Sequence, residues 1–235
     1  MPTSVAMHMS DGLLNAPTSI LFGAVAVLGL VVATTRARRD LDDRTAPMAG
    51  LVAAFIFAVQ MLNFPVLPGV SGHLLGGALA ALLVGPWVGA LCVAVVLVVQ
   101  ALVFADGGVT AVGLNVTNMA LVGTAAAYVL IAVLLRVLPR TAAGLAVTAF
   151  AASVVSVVVA SQAFVVEFWL GGTAQLEGQS LGAVAATMAG THTLIGIGEG
   201  LIAATTVVTV AKTRPDLVYA LRGLRARRRE EVASS

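Results

Sequence analysis

The sequence predicts an all-α, polytopic membrane protein with seven transmembrane helices, its N-terminus outside and its C-terminus in the cytoplasm. Three observations carry that expectation. Of 235 residues, 59% are hydrophobic and only 10% are Asp, Glu, Lys or Arg, against about 25% charged residues in a soluble domain. Mean hydropathy is +1.02. The apolar residues also fall into runs suited to crossing roughly 30 Å of hydrocarbon, which takes about 20 residues of helix. The single cysteine, Cys92, excludes an internal disulfide framework and any multi-cysteine zinc site. A net charge of +2 is too small to indicate a nucleic-acid partner.

Seven spans can be marked in order: Thr18–Thr35, Met48–Phe64, Val70–Val84, Val88–Ala105, Leu114–Leu135, Ala143–Leu170 and Leu181–Ala211. The first ends in Arg36 and lacks a preceding basic segment, so it is expected to stay in the membrane rather than be cleaved as a signal peptide. The third is short, and charge placement decides whether it crosses. The 13 basic residues occupy three places: Arg36, Arg38, Arg39 and Arg44; Arg136 and Arg140; and Lys212 through Arg229. Seven crossings put all of them on the cytoplasmic side, as the positive-inside rule demands, whereas omitting Val70–Val84 moves Arg136 and Arg140 outside. Trp87 and Trp169 then fall at opposite interfaces. Pairs such as Gly85/Gly89 and Gly196/Gly200 permit close helix approach. The whole chain, 1–235, is expected to form one membrane domain: an extracytoplasmic N-terminal segment 7–17, the helices 18–211, and a basic, topology-setting tail 212–235.

With this topology the polar residues gather near the outer face: Gln60, Asn63, Ser71, His73, Gln100, Asp106, Asn115, Asn118, Gln162, Glu167 and His192. Polar groups in a bilayer are costly unless satisfied, and they tend to mark pathways or sites. The asymmetry predicts a binding vestibule open to the outside rather than a polar channel. Glu199 is the exception, near mid-depth and far from every basic residue. It is expected to be protonated or bonded to neutral donors such as Asn118 or Gln100, in either a structural or a transport role.

All three histidines, His8, His73 and His192, fall at outer positions, which suggests a cation site. His8 sharpens this. In a chain beginning at Met7, the free amine, the His8 amide and the His8 Nδ1 would chelate one metal through fused five- and six-membered rings. Three coplanar nitrogens leave one in-plane position for a second imidazole, such as His73. A tetragonal nitrogen set suits Ni(II) or Cu(II). The chain is therefore expected to start at Met7, because MPTSVA contains no recognisable structural or targeting signal.

At MHMSDGLL (7–14), NFPVLPGVSGHLLGGALAALLVGPW (63–87), QALVFADGG (100–108), LNVTNM (114–119) and HTLIGIGEGLI (192–202), the sequence resembles the CbiM/NikM family. These are the substrate-binding membrane subunits of energy-coupling-factor transporters for cobalt and nickel. The resemblance implies seven helices, one added N-terminally to a six-helix core, in a bacterial cell membrane. It implies metal ligands at the Met7 amine, the His8 amide and imidazole, and the His73 imidazole. Asn115 and Asn118, with His192, would orient the histidines. The metal, Ni(II) or Co(II), would be cargo rather than cofactor, supplied to cobalamin biosynthesis or nickel enzymes. Implied partners are a transmembrane coupling subunit, two cytoplasmic ATPase subunits and a small accessory membrane subunit. That assignment agrees with the lack of a GxxxxGK[ST] segment in this chain. The alternatives weighed are a stand-alone channel or proton-coupled carrier using Glu199, and an intramembrane enzyme using His192 and Glu199.

Overall fold

The computed structural model describes residues 9, 11–67, 70–173 and 180–222. Met7, His8 and the MPTSVA segment lie outside the described residues, as does the tail beyond 222. The elements run α1 (Ala16–Ala37), α2 (Thr45–Gln60), β1 (Asn63–Leu67), β2 (Val70–His73), α3 (Gly77–Val84), α4 (Pro86–Val103), α5 (Val112–Asn115), a π-helical segment (Val116–Gly123), α6 (Thr124–Val137), α7 (Ala142–Gly171) and α8 (Leu181–Thr213). Two 3₁₀ turns, Pro215–Leu217 and Tyr219–Leu221, follow.

Five helical stretches are long and apolar enough to cross a membrane: Ala16–Ala37, Pro86–Val103, Val112–Val137, Ala142–Gly171 and Leu181–Thr213. Their exposed faces carry large apolar side chains, among them Ile20, Val27 and Leu28 on α1 and Leu102 and Val103 on α4. Such belts are stable only against lipid. The protein is accordingly a multi-pass membrane protein. The second expected span is the 16-residue α2, somewhat short of the usual length.

The third expected span needs correcting. Val70–Val84 is not one helix: Val70–His73 is a strand, paired antiparallel with β1 in the register Asn63↔His73 and Phe64↔Gly72, and only Gly77–Val84 is helical. The intervening turn needs Gly76 in the left-handed region, at φ 79°, where a Cβ would run into Ile56. At 1.5 Å per residue α3 is only about 12 Å long. Every residue of α3 is buried, which is why an all-apolar octet is stable there. Gly85, at φ 91°, breaks the chain direction before Pro86 opens α4, and α4 then packs back on α3, with Gly89 against Ala80.

The ends of the helices sort into two groups. At one end, residues 9–14 are stitched to the α4–α5 loop and to the end of α7. The N–H of Gly108 donates to the Met9 carbonyl (2.8 Å), Asn15 N–H to Gly171 O (2.7 Å) and Thr173 N–H to Leu13 O (3.0 Å), around an isolated bridge between Leu14 and Gly172. Asp11 Oδ1 accepts from both the amide and the hydroxyl of Thr110 (2.8 and 2.5 Å). These bonds hold the Asp11 carboxyl below the usual carboxylate range. At the other end, Arg222 donates to the Thr45 hydroxyl at 2.7 Å, and Tyr219 lies against Gly85. The start of the basic tail is therefore packed on the protein rather than free in solvent, with Val218 1% exposed. Trp169 belongs to the first end and Trp87 to the second, as expected of interfacial rings.

Candidate metal centre

A cavity of about 60 Å³ lies beneath the docked N-terminal segment. It is lined by Met9, His73, Asn115, Asn118, Met119, Ser161, Phe164, Met188 and His192, with Val157 and Ala160 completing the wall. One water needs about 10–15 Å³ of such space, so the cavity suits an ion with a few waters. Drug-sized organic ligands need pockets of roughly 300 Å³ or more.

Each polar group arrives on a different element. His73 ends β2, and its Nδ1 lies 2.8 Å from the carbonyl of Leu74. His192 sits on α8 with Nδ1 2.8 Å from the Met188 carbonyl, one turn earlier. A carbonyl only accepts, so both Nδ1 atoms carry a proton, and in a neutral ring the lone pair then lies on Nε2. Asn115 closes α5 and Asn118 lies in the π-helical segment, a rare winding frequent at functional sites. That segment is anchored to α1 by the Thr117 hydroxyl, which donates to the Phe22 carbonyl at 3.0 Å.

Behind Asn118 stands Glu167 of α7, fully buried, whose Oε2 accepts from Asn118 Nδ2 at 2.7 Å. The Asn118 amide nitrogen thus faces Glu167 and its oxygen points away from it. Asn118 Oδ1 and Glu167 Oε1 have no hydrogen-bond partner among the described residues. A buried carboxyl one hydrogen bond from the cavity wall is well placed to offset the charge of an entering cation.

His73, His192, Asn115 and Asn118 thus all line one cavity. Met7 and His8 lie outside the described residues, but Met9, the next residue along the chain, lines the cavity and is 6% exposed. Among the described residues no group of three His, Cys, Asp or Glu side chains is clustered closely enough to hold a metal. Sequence reasoning placed Glu167 among the outer polar residues without giving it a partner, and it missed the thioethers of Met9, Met119 and Met188. An acid inside a 30-residue apolar helix was the available signal for the first; methionine in an apolar run carries none.

Glu199 has a neutral donor, as expected, but not one of the two named. Its donor is neither Asn118 nor Gln100 but the backbone N–H of Leu75, 2.5 Å from Oε2. The Leu75 carbonyl in turn accepts from Gln60 Nε2 at 2.8 Å. His192 and Glu199 share α8 but bond to different partners.

A multi-pass helical bundle with two imidazoles in an ion-sized pocket defines an integral membrane protein built to handle a small cation. Residues 8–217 match the model of the cobalt uptake substrate-specific transmembrane region, CbiM, and the chain belongs to that family. It is 40% identical over 214 residues to a putative fused nickel transport protein, NikMN, of Archaeoglobus fulgidus, covering 90% of this chain and 68% of that one. It is 31% identical over 224 residues to the cobalt transport protein CbiM of Sorangium cellulosum, covering 93% and 97%. A crystal structure of a truncated transition metal transporter superposes with a TM-score of 0.79 at 26% identity, covering 88% of this chain and 99% of the other.

Proposed function

We propose that this protein captures Ni(II) or Co(II) at the outer face of the cell membrane, as the substrate-binding subunit of an ATP-driven energy-coupling-factor transporter. The observation that carries this is the docking of residues 11–14 at the end of the molecule where Met9 lines the same cavity as His73 and His192. The Met7 amine, the His8 amide and Nδ1, and the His73 Nε2 then supply four nitrogens in a plane, a set suited to Ni(II). Coordination by the amine requires a chain whose first residue is Met7. Asn115, Asn118 and His192 orient the set. The metal is cargo, delivered to cobalamin biosynthesis or nickel enzymes.

Seven crossings, with the third made of the β hairpin and α3, place the N-terminus outside and all 13 basic residues in the cytoplasm. The contact of Arg222 with Thr45 supports this, since it draws two basic regions to one end. The partners in this scheme are a transmembrane coupling subunit, a pair of cytoplasmic ATPases and a small accessory membrane subunit. Fusion in the NikMN relative supports a membrane partner. Release follows when the segment between α2 and α3 shifts and carries His73 away from the N-terminal chelate.

In cells producing the complete transporter, His8→Ala and His73→Ala should each abolish nickel or cobalt accumulation while membrane insertion stays intact. Normal uptake by either variant contradicts the scheme. Intact mass of active protein tests the amine ligand separately: MPTSVA retained at undiminished metal binding contradicts it.

A further inference from the structure

Glu199 and His73 bond to opposite ends of one peptide unit. The N–H of Leu75 donates to Glu199 Oε2 at 2.5 Å, and the C=O of Leu74, in the same peptide plane, accepts from His73 Nδ1 at 2.8 Å. A trans peptide points its N–H and C=O in opposite directions. The carboxyl of α8 and the imidazole of the hairpin are therefore joined in line through a rigid, polarisable plane. All three parts are dry: Glu199 and His73 are each 3% exposed and Leu75 is also 3% exposed. At low dielectric, successive hydrogen bonds polarise one another.

Resting on the metal-capture function above, we propose that Glu199 is a positioning residue that acts on the metal through a carboxylate–peptide–imidazole relay. A carboxylate drawing on the Leu75 N–H makes the Leu74 carbonyl a stronger acceptor. That carbonyl then holds the His73 Nδ1 proton more tightly, which fixes the ring and makes Nε2 a better donor to metal. A carboxylate bonded directly to a metal-binding histidine does the same work in many sites. Here a peptide is interposed, so the acid stands on a helix that contributes no ligand. Gln60, from the other side, holds the next carbonyl, that of Leu75, and so fixes the loop without belonging to the relay.

The test is nickel titration of the chain beginning at Met7, purified in detergent, with the absorption spectrum of the bound metal recorded alongside. Glu199→Leu, which ends the relay, should weaken Ni(II) binding by about 10- to 100-fold and shift the spectrum. Glu199→Gln keeps an acceptor oxygen but loses the charge; it should fold where the leucine variant does not, and give an intermediate loss with a smaller shift. Gln60→Leu loosens the same loop and leaves the relay bonded, so its spectrum should match the wild type. If Gln60→Leu matches Glu199→Leu in affinity and spectrum, loop rigidity alone accounts for both and the relay is overturned. A wild-type chain that binds no nickel contradicts the capture function itself. Wild-type binding that is lost in His73→Ala but unchanged in both Glu199 variants contradicts only the relay.

Discussion

His73 and His192 offer the same nitrogen for different local reasons. His73 donates to its neighbour's carbonyl in a loop, whereas His192 donates one turn back within α8. Removing His73 should abolish high-affinity nickel binding, while His192→Ala should weaken it by about 10-fold, at the low end for groups that orient ligands; titration of the purified variants distinguishes them. Asn118→Ala removes the donor to a fully buried carboxyl. Leaving a buried acceptor without a partner costs about 1–3 kcal/mol or more, so thermal unfolding in detergent should show a lowered midpoint. The two histidines and two asparagines were legible in the sequence because polar residues in apolar runs stand out. The bond from Leu75 to Glu199 was not. Its donor is a backbone amide 124 residues away, and every residue has such a group.

Among the elements, α7 and α8 pack where glycine lets their backbones meet. A Cβ on Gly196 would come within 2.9 Å of the Val154 Cα, while a Cβ on Gly198 would meet nothing within 4 Å. Gly196→Ala should therefore destabilise by about 1–3 kcal/mol, the usual cost of overpacking. Gly198→Ala should be nearly neutral, and parallel melting curves compare the two. The N-terminal segment depends on Asp11, whose ionised carboxyl takes two bonds from Thr110. Its pKa is depressed in the docked state. The docking it provides is thus complete above the ordinary value, near pH 4, and is lost as pH falls through the depressed one. Amide exchange in residues 11–14 should be insensitive to pH between 5 and 8, once corrected for intrinsic rates, and should accelerate in Asp11→Asn. Exchange that is unaltered in Asp11→Asn contradicts the anchoring role. Hydropathy marked the long helices to within a few residues because lipid demands uninterrupted apolar runs. It failed at Val70–Val84, where burial inside the protein, not lipid, makes the segment apolar and lets it be part strand and part helix. The π-helical winding around Asn118 had no signature in residue type.

The molecule as a whole has the cavity lined by His73 and His192 at one end and its basic loops at the other. That small cavity lies beside Met9, at the end opposite Arg222. In reconstituted vesicles this chain alone should take up no nickel. Uptake should need the coupling and ATPase subunits together with ATP, and accumulation without them would favour a stand-alone carrier. The central claim is that the start of the chain and His73 together form an all-nitrogen metal site. X-ray absorption at the nickel edge of the loaded protein, in a chain beginning at Met7, tests it most directly. The account predicts four nitrogen donors in a tetragonal shell. A shell containing sulfur from the cavity methionines, or six oxygen-dominated donors, would contradict it.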